Sequence, residues 1–231
     1  LIKLACDVVV SEPQATHDMS YGWCQRPVDG MEVPTHMWMD VTGQAVSDEE
    51  STVGMAILND GRYGCDVNGS VMRLTILRSP PYAYHRPHVS GSKHRYDWID
   101  QGHHEFTVAL QPHIGDWQDA NIVPQARLLN MPLTPITHHA HPGPKPRLDS
   151  LLELSSSDME MTALKPAEDG DGYIVRIADR YGRGSSGTLT WLGISLPISV
   201  EPHEVQTLRL RESGGEWSMV RCTMLELEDD T

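Results

Sequence analysis

The 231-residue chain carries 18 Lys plus Arg against 32 Asp plus Glu, a formal charge of −14. That balance disfavours the counterion-releasing contacts of nucleic-acid binding and disfavours anionic membrane surfaces. No apolar run approaches the roughly 20 residues of a membrane helix, and the length suits either one large all-β domain or a medium domain followed by a small one. Cys6, Cys24, Cys65 and Cys222 are too scattered for a disulfide framework or a Cys-x-x-Cys site. Reduced thiols, with no signal pattern at Leu1-Ile2-Lys3-Leu4, point to the cytoplasm. The opening lacks an initiator Met and enters strand-like alternation at once, so the chain reads as a piece of a longer polypeptide.

Gly, Pro and Asp punctuate the chain at short intervals, and the apolar runs between them alternate with period 2 rather than 3.6. Strands are predicted over 3–10, 18–25, 36–41, 53–58, 71–77 and 105–110. Asp60-Gly61 and Asn68-Gly69 are turn dipeptides that tolerate positive φ. A short helix is predicted over 117–129, where Ala120, Val123, Ala126 and Leu129 share a face; Pro124 must then sit near the first turn or kink it. Residues 130–147, rich in Pro and carrying His138, His139 and His141, read as a linker or crossing loop. Strands follow over 151–154, 159–164, 172–178, 188–192, 205–210 and 217–225, before an acidic tail expected to be solvated. The expected architecture is all-β: a β-sandwich domain over 1–147 and a small terminal β-sandwich over 148–231, with one short helix between.

Few residues carry a chemical signature. Arg78 ends an apolar strand just before Ser79-Pro80-Pro81, where its rigid fork of donors can brace a loop or reach a ligand. Asp100-Gln101-Gly102 has the composition of a loop whose backbone can approach a sugar while its side chains bond to hydroxyls. If the strand begins there, His103 and His104 point to opposite faces, so at most one of them looks into a site. His103-His104-Glu105 lacks the helix and second His of a His-Glu-x-x-His zinc signature. His85 and His88 sit in a proline-bearing loop beside Arg86, and the 138–141 cluster lies in the linker, so neither meets the requirement for several fixed ligands. The chain has no nucleophile elbow and no Gly-rich phosphate loop.

Taken together, several phrases resemble family 38 glycoside hydrolases, the retaining, zinc-dependent α-mannosidases. They are His36-x-Trp38-x-Asp40, Asn59-Asp60-Gly61-Arg62-Tyr63-Gly64-Cys65-Asp66, the 71–80 strand with Arg78, Asp100-Gln101-Gly102, Thr162-Ala163-Leu164-Lys165 through Arg176, and Pro202-x-Glu204-Val205. The resemblance implies the later part of a galactose-mutarotase-like supersandwich plus a small terminal sandwich, the C-terminal, non-catalytic portion of such an enzyme. The zinc ligands and the aspartate nucleophile would belong to an N-terminal barrel outside this chain; zinc is thus expected in the full-length parent and no cofactor here. The implied partners are a mannose-containing oligosaccharide and that catalytic domain. Arg78, Asp60, Asp100, Gln101 and His103 are the implied lining of the sugar site. Cys65 departs from the family, which often has Tyr there, and the loop from Tyr84 to Ile99 is enlarged. Two other readings compete: a stand-alone carbohydrate-binding module using exposed Trp38, Trp98 or Trp117 as a stacking platform, and a mutarotase-like epimerase with one of the paired histidines as acid and a carboxylate as base.

Overall fold

A computed structural model describes residues 1–81, 97–139, 141–144 and 149–227. The Tyr84-His85-Arg86-Pro87-His88 phrase lies outside them, as does the end of the acidic tail. The described residues form sixteen strands and one helix, as the all-β reading expects. They divide into two compact units, Leu1–Met19 with Cys24–Leu133, and Ser20–Trp23 with Thr134–Thr231.

The first unit holds two antiparallel sheets. One orders its strands β1 (Ile2–Asp7), β8 (Val71–Leu77), β7 (Gly64–Asn68) and β4 (Val33–Pro34). The other runs β3 (Gly22–Arg26), β2 (Val10–Met19), β5 (Trp38–Ala45), β6 (Asp48–Asn59) and β9 (Val108–Ile114). Alternation along β7 and β8 puts the paired Cys65↔Leu74 and Val67↔Met72 on the inner face, where they meet Met39, Val41 and Ile57 of the other sheet. Each large apolar side chain buried this way contributes about 1.5–3 kcal/mol, and a slip of one residue would turn the whole set outward. Register is therefore strongly specified.

Prolines hid two strands. The polar, proline-bearing run 10–19 gives no strand signal, so the prediction began at Asp18. In the structure β2 spans Val10–Met19 and Tyr21, with φ 61°, makes the turn into β3. A register shift between Ser11 and Gln14 absorbs Pro13. Gly43 on β5 permits it, because a Cβ there would lie 2.5 Å from the Ser11 carbonyl oxygen. The predicted helix shortens to α1 (Ile122–Asn130), which places Pro124 in the first turn, where no intrahelical N–H bond is lost. Ile122, Val123 and Ala126 form its buried face.

The second unit is also a pair of sheets. One orders β10 (Leu152–Leu154), β13 (Ser185–Trp191) and β14 (Ile194–Val200); the other orders β11 (Met159–Pro166), β12 (Tyr173–Asp179), β15 (Val205–Ser213) and β16 (Glu216–Cys222). Their inner faces enclose Val175, Ile177, Leu189, Ile198, Leu208 and Leu210. β14 is the second strand that proline concealed. It lies at a sheet edge, where Pro197 is tolerated.

On the opposite face of β15 the guanidinium of Arg209, only 3% exposed, holds the Asp169-Gly170-Asp171-Gly172 turn. Its Nη1 donates to both Asp169 carboxylate oxygens, at 2.9 and 2.7 Å, and to the Asp171 carbonyl at 3.2 Å. Its Nη2 donates to the Glu226 carbonyl at 2.8 Å. At Gly172, with φ 88°, an added Cβ would lie 2.1 Å from the Leu210 carbonyl oxygen, so only glycine closes the turn.

Candidate functional site

The sequence-predicted site residues gather at one end of the first sandwich. Antiparallel pairing brings the end of β6 beside the start of β9, with Asn59 opposite Val108, and the end of β8 beside the start of β7, with Leu74 opposite Cys65. Two connections therefore emerge together, residues 60–63 and residues 78–107.

The first is built around Asn59, which is 1% exposed. Its side-chain oxygen accepts from the backbone N–H groups of Gly61 at 3.0 Å and Arg62 at 2.6 Å, and its amide donates to the His36 carbonyl at 2.9 Å. Asn130 of α1 donates in turn to the Asn59 carbonyl at 2.9 Å. This is an Asx turn with every side-chain group engaged, rather than the two-residue hairpin turn that Asp60-Gly61 alone suggests. Asp60 is exposed, and its carboxylate accepts the Thr107 backbone N–H at 2.8 Å, a bond that holds its pKa below the usual carboxylate value. The Arg62 guanidinium lies over the Phe106 ring, 4.5 Å from its centroid, a geometry in which a cation is attracted to the ring face. Tyr63, 58% exposed, meets His36 edge to face at 6.4 Å.

The second connection opens with exposed Arg78, which makes no hydrogen bond or ion pair among the described residues. Its neighbours are braced. Ile99 N–H donates to the Pro80 carbonyl at 3.0 Å, and Pro81 bridges Trp98. Ser79 donates to the Ile99 carbonyl at 2.7 Å, while the Gln101 amide donates to the Ser79 hydroxyl. Asp100 sits in the left-handed region at φ 54°, and its carbonyl bonds His104 Nε2 at 2.9 Å. His103 is exposed and precedes the strand, because β9 begins only at Val108; the alternation argument for His103 and His104 therefore does not apply. Gln101 thus joins the Arg78 segment directly and Asp60 anchors the far end of the same connection. His103 has no bond to either.

Sequence reasoning missed Asn59, Arg62, Phe106 and Thr107 as builders of this end. The available signal was Asn at the position before Asp-Gly, where a side-chain amide can close the turn on itself.

Elsewhere in the first unit, buried polar groups act structurally. Asp40, 0% exposed, accepts from His113 Nε2 at 2.7 Å and from the Thr42 hydroxyl at 2.6 Å, and His113 Nδ1 bonds the Gly115 carbonyl at 3.1 Å. The pair reaches from β9 to β5 across the intervening β6. Gly54 makes room, since a Cβ there would lie 2.5 Å from His113 Cε1. Burial by itself lowers the imidazole's pKa, but the hydrogen bond and charge of Asp40 outweigh burial and hold it above the ordinary value. His17 behaves oppositely: burial, with the Arg26 charge, lowers it to about 4. Its partner is the Cys65 thiol at 3.4 Å, which burial pushes up to about 12.

Trp38 is 0% and Trp117 6% exposed, stacked on each other at 4.9 Å. Neither can form the platform that the binding-module reading asked of them; Trp98, at 62%, is exposed. Among the described residues no three His, Cys, Asp or Glu side chains converge as a metal site, and no helix is long and apolar enough to cross a membrane.

Residues 1–86 match the model of the glycosyl hydrolases family 38 C-terminal domain. Alpha-mannosidase 2C1 of Homo sapiens is 32% identical over 209 residues, 85% of this chain and 18% of that protein. The Mus musculus protein of the same name is 30% identical over 227 residues, 94% of this chain and 20% of that protein. The chain thus spans about a fifth of these relatives. A crystal structure of a glycosyl hydrolase family 38 protein from Enterococcus faecalis shares the fold, with a TM-score of 0.71 over 90% of this chain and 26% of that one, at 18% identity. The chain carries the C-terminal β-region of glycosyl hydrolase family 38.

Proposed function

We propose that this chain is the non-catalytic C-terminal portion of a retaining, zinc-dependent α-mannosidase, and that the Asn59–Thr107 end of its first sandwich borders the mannose-binding site. The observation that carries this reading is the exposed Arg78 guanidinium, unpaired among the described residues, beside a connection whose other described polar groups brace one another. A guanidinium held there offers up to five donors to sugar hydroxyls, while Asn59, Asp60 and Gln101 fix the loops that aim it. Zinc, when bound in the catalytic domain, would polarise sugar oxygens. The residues described here do not fit that ion, so no step of this chain runs through it.

The partners of this reading are a mannose-containing oligosaccharide and an N-terminal catalytic domain of the same polypeptide, acting in the cytoplasm. The test is hydrolysis of an aryl α-mannoside by the purified chain, with and without added zinc, beside the complete enzyme. The chain is expected to stay at background while the complete enzyme turns over. Activity that co-purifies with the chain alone would overturn the proposal.

A further inference from the structure

One end of the second unit carries an aromatic cluster. The starts of β12 and β16 and the end of β13 meet there, and Tyr173, Trp191 and Trp217 converge from these three strands. Ring centroids lie 5.3 Å apart for Tyr173 and Trp191, 6.2 Å for Tyr173 and Trp217, and 5.5 Å for Trp191 and Trp217, the last pair edge to face at 78°. They line a groove of about 410 Å³ walled by Leu151, Leu164 and Leu192. Pockets for small ligands start at roughly 300 Å³.

Three features say what would occupy it. Tyr173 is 41% exposed, so part of the aromatic surface is open to a ligand. Trp191 is 5% exposed, and its indole N–H is buried with no acceptor among the described residues. Such an orphan donor is costly unless something supplies an oxygen. On the rim, exposed Glu212 pairs in register with Trp217 and has no hydrogen bond or ion pair among the described residues. Lys165, also lining the groove, is neutralised by Glu168 and Glu226, so it offers no net attraction to an anion. The net charge of −14 repels anions further. A purely hydrocarbon occupant would leave the indole donor and the carboxylate unused.

The ligand that satisfies all of these is neutral, with an apolar face to stack on aromatic rings, oxygens to accept from an indole and hydroxyls to donate to a carboxylate. We infer that this groove is a saccharide-binding site, seating a pyranose ring on Tyr173 and Trp217 with its hydroxyls toward Glu212 and Trp191. It uses none of the residues assigned to the mannose-binding end, and neither reading depends on the other.

The experiment uses the whole chain, labelled with nitrogen-15, and follows its tryptophan indole signals during titration with α-mannobiose, cellobiose and xylobiose in separate arms. At least one sugar should shift the Trp191 and Trp217 signals with a dissociation constant of about 1 mM, typical of weak single-ring recognition. Tyr173→Ala should weaken that binding about tenfold, the upper end of what one aromatic contact contributes. Glu212→Gln, a surface change that leaves packing intact, should weaken it severalfold. The arms identify which sugar stereochemistry fits. Silence of both indoles with all three sugars, or unchanged affinity in both variants, would overturn the inference. So would a shift of the two indoles by n-butanol equal to that by any sugar, which would mark the groove as an apolar slot only.

Discussion

Replacing His113 by Ala should destabilise the first unit by about 3–5 kcal/mol, the range for removing one partner of a buried ion pair. Asp40 is 0% exposed and would be left with the Thr42 hydroxyl as its remaining side-chain partner among the described residues, a buried carboxylate without a compensating charge there. Adding Asp40→Asn should recover much of the loss by removing the stranded charge. The pH dependence carries a sign. Because His113 has a folded pKa above the ordinary imidazole value of 6.5, its contribution is fully present below pH 6.5 and is lost as pH rises through the folded value. His17, lowered to about 4, contributes stability that is present above pH 6.5 and lost as pH falls toward 4. Both slopes occur in the parent chain, and only the first disappears in the variant. Guanidinium denaturation, read by near-ultraviolet circular dichroism of the stacked Trp38 and Trp117, should show a wider gap between parent and variant at about pH 6 than at about pH 8. A cost below about 1 kcal/mol, or an equal gap at both values, would refute the assignment of a buried charged pair.

In the second unit, Arg209→Ala should lower the melting temperature, because the Asp171 and Glu226 carbonyls lose their buried donor, while the exposed Asp169 carboxylate turns to water. Arg209→Lys should recover little of this because a point charge cannot span those acceptors; thermal denaturation of the two variants checks both expectations. Gly54→Ala should mimic part of the His113 loss, since its Cβ would also lie 2.7 Å from the Val41 carbonyl oxygen, and the same denaturation curves measure it. Of the four thiols, partly exposed Cys6 and Cys24 should react with a maleimide in the native chain, while buried Cys65 and Cys222 should react only after unfolding, as mass spectrometry of digests would show.

Strands whose residues alternate cleanly were legible. The 71–77 strand emerges with the predicted bounds because Met72 and Leu74 alternate with partly exposed residues over a buried face. Strands 10–19 and 194–200 were not legible, because Pro13 and Pro197 signal a break locally and only the bulge at Ser11 and the edge position of β14 make them compatible with pairing. The site divides in the same way. Arg78 and the Asp100-Gln101 loop stand out by position, next to Pro and Gly. The bond between Asp60 and Thr107 spans 47 residues, and that between Asp40 and His113 spans 73. Such contacts are products of sheet order, which local periodicity does not encode. Nor does anything local mark Arg209 as buried, since arginine is ordinarily a surface residue.

The most direct test of the central claim, that the Asn59–Thr107 end borders the sugar site, is the catalytic efficiency of the complete enzyme carrying Arg78→Ala. The strand that supports Arg78 keeps Leu74, Ile76 and Leu77, so the melting temperature should not change. Loss of the guanidinium removes its donors or the positioning they provide, and kcat/KM on an α-mannoside should fall about ten- to a hundredfold, equivalent to roughly 1.4–2.7 kcal/mol. A folded Arg78→Ala enzyme with parental kcat/KM would contradict the account and leave this end of the sandwich a scaffold.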